Sequence, residues 1–199
     1  MSTGTLIVGV TGASGAIYAQ RFLREASRLY DRIYLILSEQ ACQVAEHELG
    51  VRLDKGAFDP ESWLGKPLDN LVLLGDRDYF TPPASGSFRH EGMVIVPCSM
   101  GTAGRIANGV SDDLLTRCAD VCLKERRKLV VVPREMPWNL IMLRNLTSIT
   151  EAGGIVVPAS PAWYGRPKSL EDLADTVVAR VLQALGHDSD LIRPWMADE

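Results

Sequence analysis

The chain has 199 residues, 46% of them hydrophobic and 23% charged, with a net charge of −4 at pH 7; this is the profile of one ordinary globular domain, long enough to bury a core. The acidic balance gives no footing for nucleic acid or an anionic membrane surface, and no apolar run approaches the ~20 residues of a membrane span. A strand-like run begins at Thr5, which leaves no room for a signal peptide and predicts a cytoplasmic protein.

The first run, 5–10 "TLIVGV", leads into "VTGASGA" at 10–16 and an amphipathic helix over 15–29. Strand, glycine-rich turn and helix form the layout that presents backbone amides to a phosphate. A second strand is predicted at 32–37 "RIYLIL", with a helix over 38–49. A third lies at 71–74 "LVLL", before the long polar loop 75–92 with its paired prolines; loops of that length in compact domains are often functional. Strands at 93–97, 129–133 and 155–158 alternate with helices over 101–108, 112–127 and 138–151. A last helix, 169–185, opens at Ser169 as N-cap and closes at Gly186. The strands are continuously Val, Ile and Leu, the mark of strands buried on both faces of a parallel sheet. The expected architecture is a single α/β domain over 1–186, a doubly wound parallel sheet of the flavodoxin-like or Rossmann type, with a tail over 187–199.

Which nucleotide the turn serves is less plain. Gly9, Gly12 and Gly15 are spaced G-x-x-G-x-x-G, whereas the dinucleotide fingerprint is G-x-G-x-x-G followed by an acidic residue at the tip of the second strand. Here that tip carries Ser38, and Glu39 follows it. A serine at a helix start suits a phosphate and also suits a plain N-cap; Glu39 keeps the NAD reading open. "YGRPK", Tyr164 to Lys168, mimics the Tyr-x-x-x-Lys of short-chain dehydrogenases. Gly165 and Pro167 disfavour the helical turn that motif needs, proline alone by roughly 3 kcal/mol. "DDLLT" at 112–116 lacks the third aspartate of a magnesium-binding prenyl diphosphate motif.

Cys42, Cys98, Cys118 and Cys122 read as small buried residues, and the scattered His47, His90 and His187 offer no zinc spacing, so no metal site is expected. The later strands end in polar groups: Ser99, Gly101 and Thr102, then Arg134 and Glu135, then Tyr164. In open α/β sheets that edge holds the ligand, and the set suits one or two phosphorylated molecules. Arg117 and Lys124 share a helical face and can meet one anion. Arg126, Arg127 and Lys128 read as complements to a helix C-terminus. Composition alone leaves Glu48 a surface carboxylate.

"VTGASGA", "PPASGS", "PCSMGTAGRIANG", "ADVCLKERRKLVVVPREMP", "LRNL" and "PASPAWY" occur in this order over roughly 5–185, and together resemble the UbiX/Pad-type flavin prenyltransferases. The resemblance implies a homododecamer that joins the dimethylallyl group of dimethylallyl monophosphate to reduced FMN. The join closes a ring through flavin N5 and C6. The product, prenylated FMN, is the cofactor of a partner UbiD-type decarboxylase. Carried over by position, Gly12, Ala13, Ser14, Ser38, Ser99, Met100, Gly101, Thr102 and Arg134 would hold the flavin. Tyr164, Arg180 and Lys124, with Arg117, would hold the prenyl phosphate, and Trp195 would shield the prenyl group. Glu48 would handle protons, with Ser14 positioning the phosphate and Glu135 as a second carboxylate. Arg180 replaces a more usual lysine, and Trp163 a more usual phenylalanine. Two rivals stand beside this reading: a non-catalytic FMN carrier, and a related flavoprotein cysteine decarboxylase.

Overall fold

The structure is a computed structural model and describes residues 4–192; Trp195 lies outside the described residues. In chain order the elements are β1 (Thr5–Val10), α1 (Ala16–Leu29), β2 (Arg32–Leu37), α2 (Glu39–Leu49), α3 (Pro60–Leu64), β3 (Leu71–Leu74), a 3₁₀ turn (Pro82–Ala84), β4 (Gly92–Cys98), α4 (Met100–Ala107), α5 (Leu114–Lys124), β5 (Leu129–Pro133), α6 (Leu140–Glu151), β6 (Ile155–Val156) and α7 (Leu170–Leu185). The six strands form one sheet in the order β3-β2-β1-β4-β5-β6, and every pairing is parallel. This is the doubly wound α/β domain expected, with the Rossmann-type strand order.

Two apolar layers clothe the sheet. One contains Phe22, Leu23, Ala45, Val178 and Leu182, which places α1, α2 and α7 on one face. The other contains Ala103, Cys118, Cys122, Leu146 and Ile149, which places α4, α5 and α6 on the opposite face. All four cysteines are free and buried, as expected of small core residues. The strand order reverses between β1 and β4, so their carboxyl ends open a crevice at that point.

Local sequence explains most element ends. Ser38, Ser99, Asn139 and Ser169 each accept a first-turn amide as N-caps. The helix expected over 112–127 is shorter at both ends. Asp113 and Thr116 close a capping box at its start, and its last turn gives way to Arg126 at φ 57°. The short α3 escapes periodicity altogether; it forms because Asp59 caps two amides and Pro60 sits at N1. The loop over 75–92 holds the 3₁₀ turn and otherwise no helix. Among the described residues no helix is long and apolar enough to cross a membrane.

Candidate functional site

The three glycines at and after the end of β1 each meet a separate packing or backbone demand within the chain. A Cβ at Gly9 would stand 2.8 Å from Leu115 Cδ1, so this glycine makes room for α5. A Cβ at Gly12 would collide with Gln40 Cβ, so that glycine lets the turn press against α2. Gly15 is the N-cap of α1 with φ 106°, a left-handed conformation that favours glycine.

The N-terminus of α1 is already occupied. Glu48, near the far end of α2, places Oε2 2.9 Å from Gly15 N and 2.8 Å from Ala16 N. The Ser14 hydroxyl also bonds this carboxylate. Burial alone would raise the Glu48 pKa. The Ser14 hydroxyl, the two amides and the Arg134 charge outweigh that effect and hold the carboxyl below its ordinary range. The helix end expected to receive a phosphate thus receives a side chain of the same sign. In this chain the two amides at the start of α1 are taken by Glu48, and α2 and α4 offer further helix N-termini at the same sheet edge.

The strands that lead into α2 and α4 flank β1 in the sheet. Thr11 Oγ1 donates to Pro97 O at 2.9 Å and accepts from Ser99 N at 2.7 Å, which ties the β1 turn to the β4–α4 junction. Ser99 Oγ lies 3.0 Å from Thr102 Oγ1, and Arg105 donates to the same hydroxyl at 3.2 Å. Arg105 also binds Asp112 and Asp113, which gives the "DDLLT" aspartates a structural task. A Cβ at Gly101 would meet no atom within 4 Å, so the approach to the α4 N-terminus is open. Arg134 Nε donates to Ser14 O at 3.1 Å, bringing the end of β5 to the same turn. Glu135 accepts from the Met136 amide at 3.1 Å, one residue further on. Glu39 faces Lys55 at 3.4 Å, which engages the carboxylate that the NAD reading required. Tyr164–Lys168 is non-helical, so the dehydrogenase-like spacing is incidental.

The Flavoprotein family profile matches residues 1–182. Flavin prenyltransferase UbiX from Thermoplasma acidophilum is 46% identical over 192 residues, covering 96% of this chain and 99% of that protein. The chain belongs to the UbiX flavin prenyltransferase family. Its fold is similar to AnUbiX solved in complex with FMN and dimethylallyl pyrophosphate, with a TM-score of 0.88 and 37% identity over 98% of each chain. It is also similar to a dodecameric FMN-dependent UbiX-like decarboxylase from Escherichia coli O157:H7, with a TM-score of 0.86 and 36% identity over 97% of this chain and 100% of that one.

Within one chain the residues carried over from the family motifs fall at three places. Ser14, Ser38, Glu48, Ser99, Thr102 and Arg134 gather at the β1–β4 crevice, beside buried Ala13 and Met100. Tyr164 stands half exposed after β6, and its loop is held to α7 by the Ala162 amide on Thr176 Oγ1 at 3.0 Å. Arg180 is on the outer side of α7, bonded to Gln183 at 2.7 Å. Arg117 and Lys124 are on α5, across the sheet from α7. Lys124 ends that helix five residues before β5 begins, at the amino edge of the sheet. One chain therefore does not bring Lys124 to Arg180. Arg117 has partners of its own, Ala84 O at 3.2 Å and Asp120 at 3.0 Å.

Sequence reasoning missed Thr11, Arg105 and Lys55. Thr11 did carry a signal, a lone hydroxyl directly after a continuous apolar strand. It also undervalued two basic residues near the end of α5. Arg127 grips Gly86 O and Phe88 O, each at 2.5 Å. Lys128 caps a different helix, donating to Leu185 O at 2.5 Å.

Proposed function

We propose that this protein transfers the dimethylallyl group of dimethylallyl monophosphate to reduced FMN, closing a ring through N5 and C6. We also propose that the prenylated FMN passes to a UbiD-type decarboxylase. One observation carries the reading beyond family membership: an ionised carboxylate, Glu48, held by Ser14 and two amides in the crevice where an open α/β sheet binds its ligand.

The residues fit a flavin mononucleotide. With the α1 end taken by Glu48, Ser38 at α2 and Ser99 to Thr102 at α4 supply hydroxyls and helix N-termini to a phosphate and ring, and Gly101 leaves the approach open. Arg134 adds a guanidinium at the same edge. Reduced FMN, when bound, supplies the nucleophilic ring atoms. Glu48, held ionised by its partners, is placed to take up the proton that C6 releases as it bonds to the far allylic carbon, while the neighbouring alkene carbon takes up a proton in exchange. Ser14 orients that carboxylate and the leaving phosphate, and Glu135 is the second carboxylate at the edge. Lys124, Tyr164 and Arg180, with Arg117, stabilise the negative charge that grows on the phosphate as its allylic bond breaks. Preplaced cations do this without a metal.

The site is shared between copies. Arg180 and Lys124 lie on opposite faces of the sheet, so a complete phosphate subsite draws on more than one chain, in a homo-oligomer such as the dodecamer of the Escherichia coli relative. Exposed apolar side chains, Met136, Leu140 and Ile141 on the way into α6 and Trp163 after β6, suit such packing. On this reading the protein works in the cytoplasm, and its free buried cysteines are the support. A cysteine decarboxylase reading is weaker, because the loop reads "YFTPPASGS" at 79–87, without histidine, and His90 lies past that stretch. The test is to identify the released ligand by mass spectrometry. FMN is expected; a dinucleotide at full occupancy with no affinity for FMN would contradict the reading.

A further inference from the structure

Lys124 is the last residue of α5, and its ammonium pairs with the neighbouring Glu125 carboxylate. This pair rests on Gly86. A Cβ at Gly86 would stand 2.7 Å from Lys124 Nζ and would also collide with Glu125 Oε1. The φ of Gly86 is outside the left-handed region. No backbone demand explains this glycine; the room it leaves for the ion pair does.

A second observation concerns how that loop is fixed. α5 ends in a Schellman turn, with Arg126 N donating to Leu123 O at 3.2 Å and Arg127 N to Cys122 O at 2.8 Å. Its left-handed position is filled by Arg126 at φ 57°, where glycine is the usual residue. Such strain persists only where the surroundings over-determine it. Here the turn aims the Arg127 guanidinium back at the loop, onto Gly86 O and Phe88 O. Arg117 holds Ala84 O from the same helix. The carbonyls of Ala84, Gly86 and Phe88, every second residue, are each taken by an arginine of α5 or its cap.

We propose that this arginine ladder makes residues 84–88 a fixed rest for Lys124, and that Arg127 and Gly86 are positioning residues which set the Lys124 ammonium for the leaving phosphate. The inference rests on the reading of Lys124 given above. Glu125 completes the rest by holding the ammonium in place until phosphate takes it. Both atoms that a Gly86 methyl would strike are ends of flexible side chains, so Gly86→Ala moves the ion pair and leaves the fold intact.

The experiment uses the intact assembly and four variants, Gly86→Ala, Arg127→Gln, Arg127→Lys and Lys124→Ala, plus the Gly86→Ala/Lys124→Ala pair. Amine-reactive labelling reads the Lys124 ammonium directly, with exposed Lys168 as internal reference. Kinetics give KM for dimethylallyl monophosphate, and titration gives FMN affinity. We expect Gly86→Ala and Arg127→Gln to change Lys124 labelling and to raise KM roughly tenfold, below the ~100-fold that a 1 Å misplacement can cost. FMN affinity stays at the wild-type value, and Arg127→Lys recovers part of the loss. In the Lys124→Ala background Gly86→Ala adds nothing, because both act through one group. Unchanged labelling and KM in Gly86→Ala would overturn the proposal, as would an effect that persists without Lys124. Absence of wild-type turnover would instead refute the functional reading, and the labelling would still decide whether Gly86 and Arg127 set the ammonium.

Discussion

Glu48 and Ala16 are 32 residues apart in sequence, yet Glu48 Oε2 lies 2.8 Å from the Ala16 amide. The contact joins the far end of α2 to the start of α1 and places a fixed negative charge on a positive helix end. Glu48 is exposed, so burial and hydrophobicity give no hint of it. Its role is legible only from its partners.

Glu48→Gln keeps the shape and one acceptor but removes the charge and the proton-accepting group. The variant should still bind FMN and dimethylallyl monophosphate. It should form product at least ~100-fold more slowly, the low end for lost acid–base catalysis. Single-turnover kinetics beside FMN titration check this. Wild-type turnover would return Glu48 to the status of a surface carboxylate and make Glu135 the candidate.

The same residue predicts a pH dependence of stability. The Glu48 pKa is lowered in the folded chain: burial pushes it up, but Ser14, the Ala16 and Gly15 amides and Arg134 pull it down further. A depressed folded pKa stabilises above the unfolded pKa, and that stability disappears as pH falls through the folded value. The thermal midpoint of the wild type should therefore exceed that of Glu48→Gln near pH 7. The gap should close progressively below about pH 5. A gap that widens in acid would mean the carboxylate is destabilised by its surroundings.

Much of this molecule is legible in the sequence, for identifiable reasons. Strands such as 5–10 and 32–37 match to the residue because both faces are buried and their ends are marked by turn chemistry. Ser38, Ser99 and Ser169 declare their helices because a cap is a local device. The packing duties of the glycine turn are not legible, because Gly9 and Gly12 make room for Leu115 and Gln40, distant in sequence and invisible to any local pattern. Arg127 and Lys128 mislead for a related reason. Their position near a helix end offers a sufficient local explanation, while their actual partners are carbonyls 39 and 57 residues away.

At the prenyl-phosphate subsite, Tyr164→Phe should weaken dimethylallyl monophosphate binding by roughly 1.5–3 kcal/mol, the range for a hydrogen bond to a charged group. Lys168→Ala should leave it unchanged, since the Tyr164–Lys168 segment is not helical. Isothermal titration in the presence of FMN compares the two. Equal losses would restore the dehydrogenase-like motif to consideration.

If the subsite is shared between copies, two defective subunits can complement each other. Lys124→Ala and Arg180→Ala homo-oligomers should each be impaired. Co-assembly should regain activity above either parent, because some sites then draw an intact Lys124 and an intact Arg180 from different chains. Activity no higher than the parents in verified mixed oligomers would place both residues in one chain's site or remove one of them from it.

The most direct measurement incubates the purified protein with reduced FMN and dimethylallyl monophosphate under anaerobic conditions, with a chelator present, and follows the flavin by mass spectrometry. FMN should be converted to a species heavier by one dimethylallyl group, with release of inorganic phosphate and no requirement for added metal. Bound FMN that stays unmodified, with the allylic phosphate intact, would contradict prenyl transfer and leave a flavin carrier in its place.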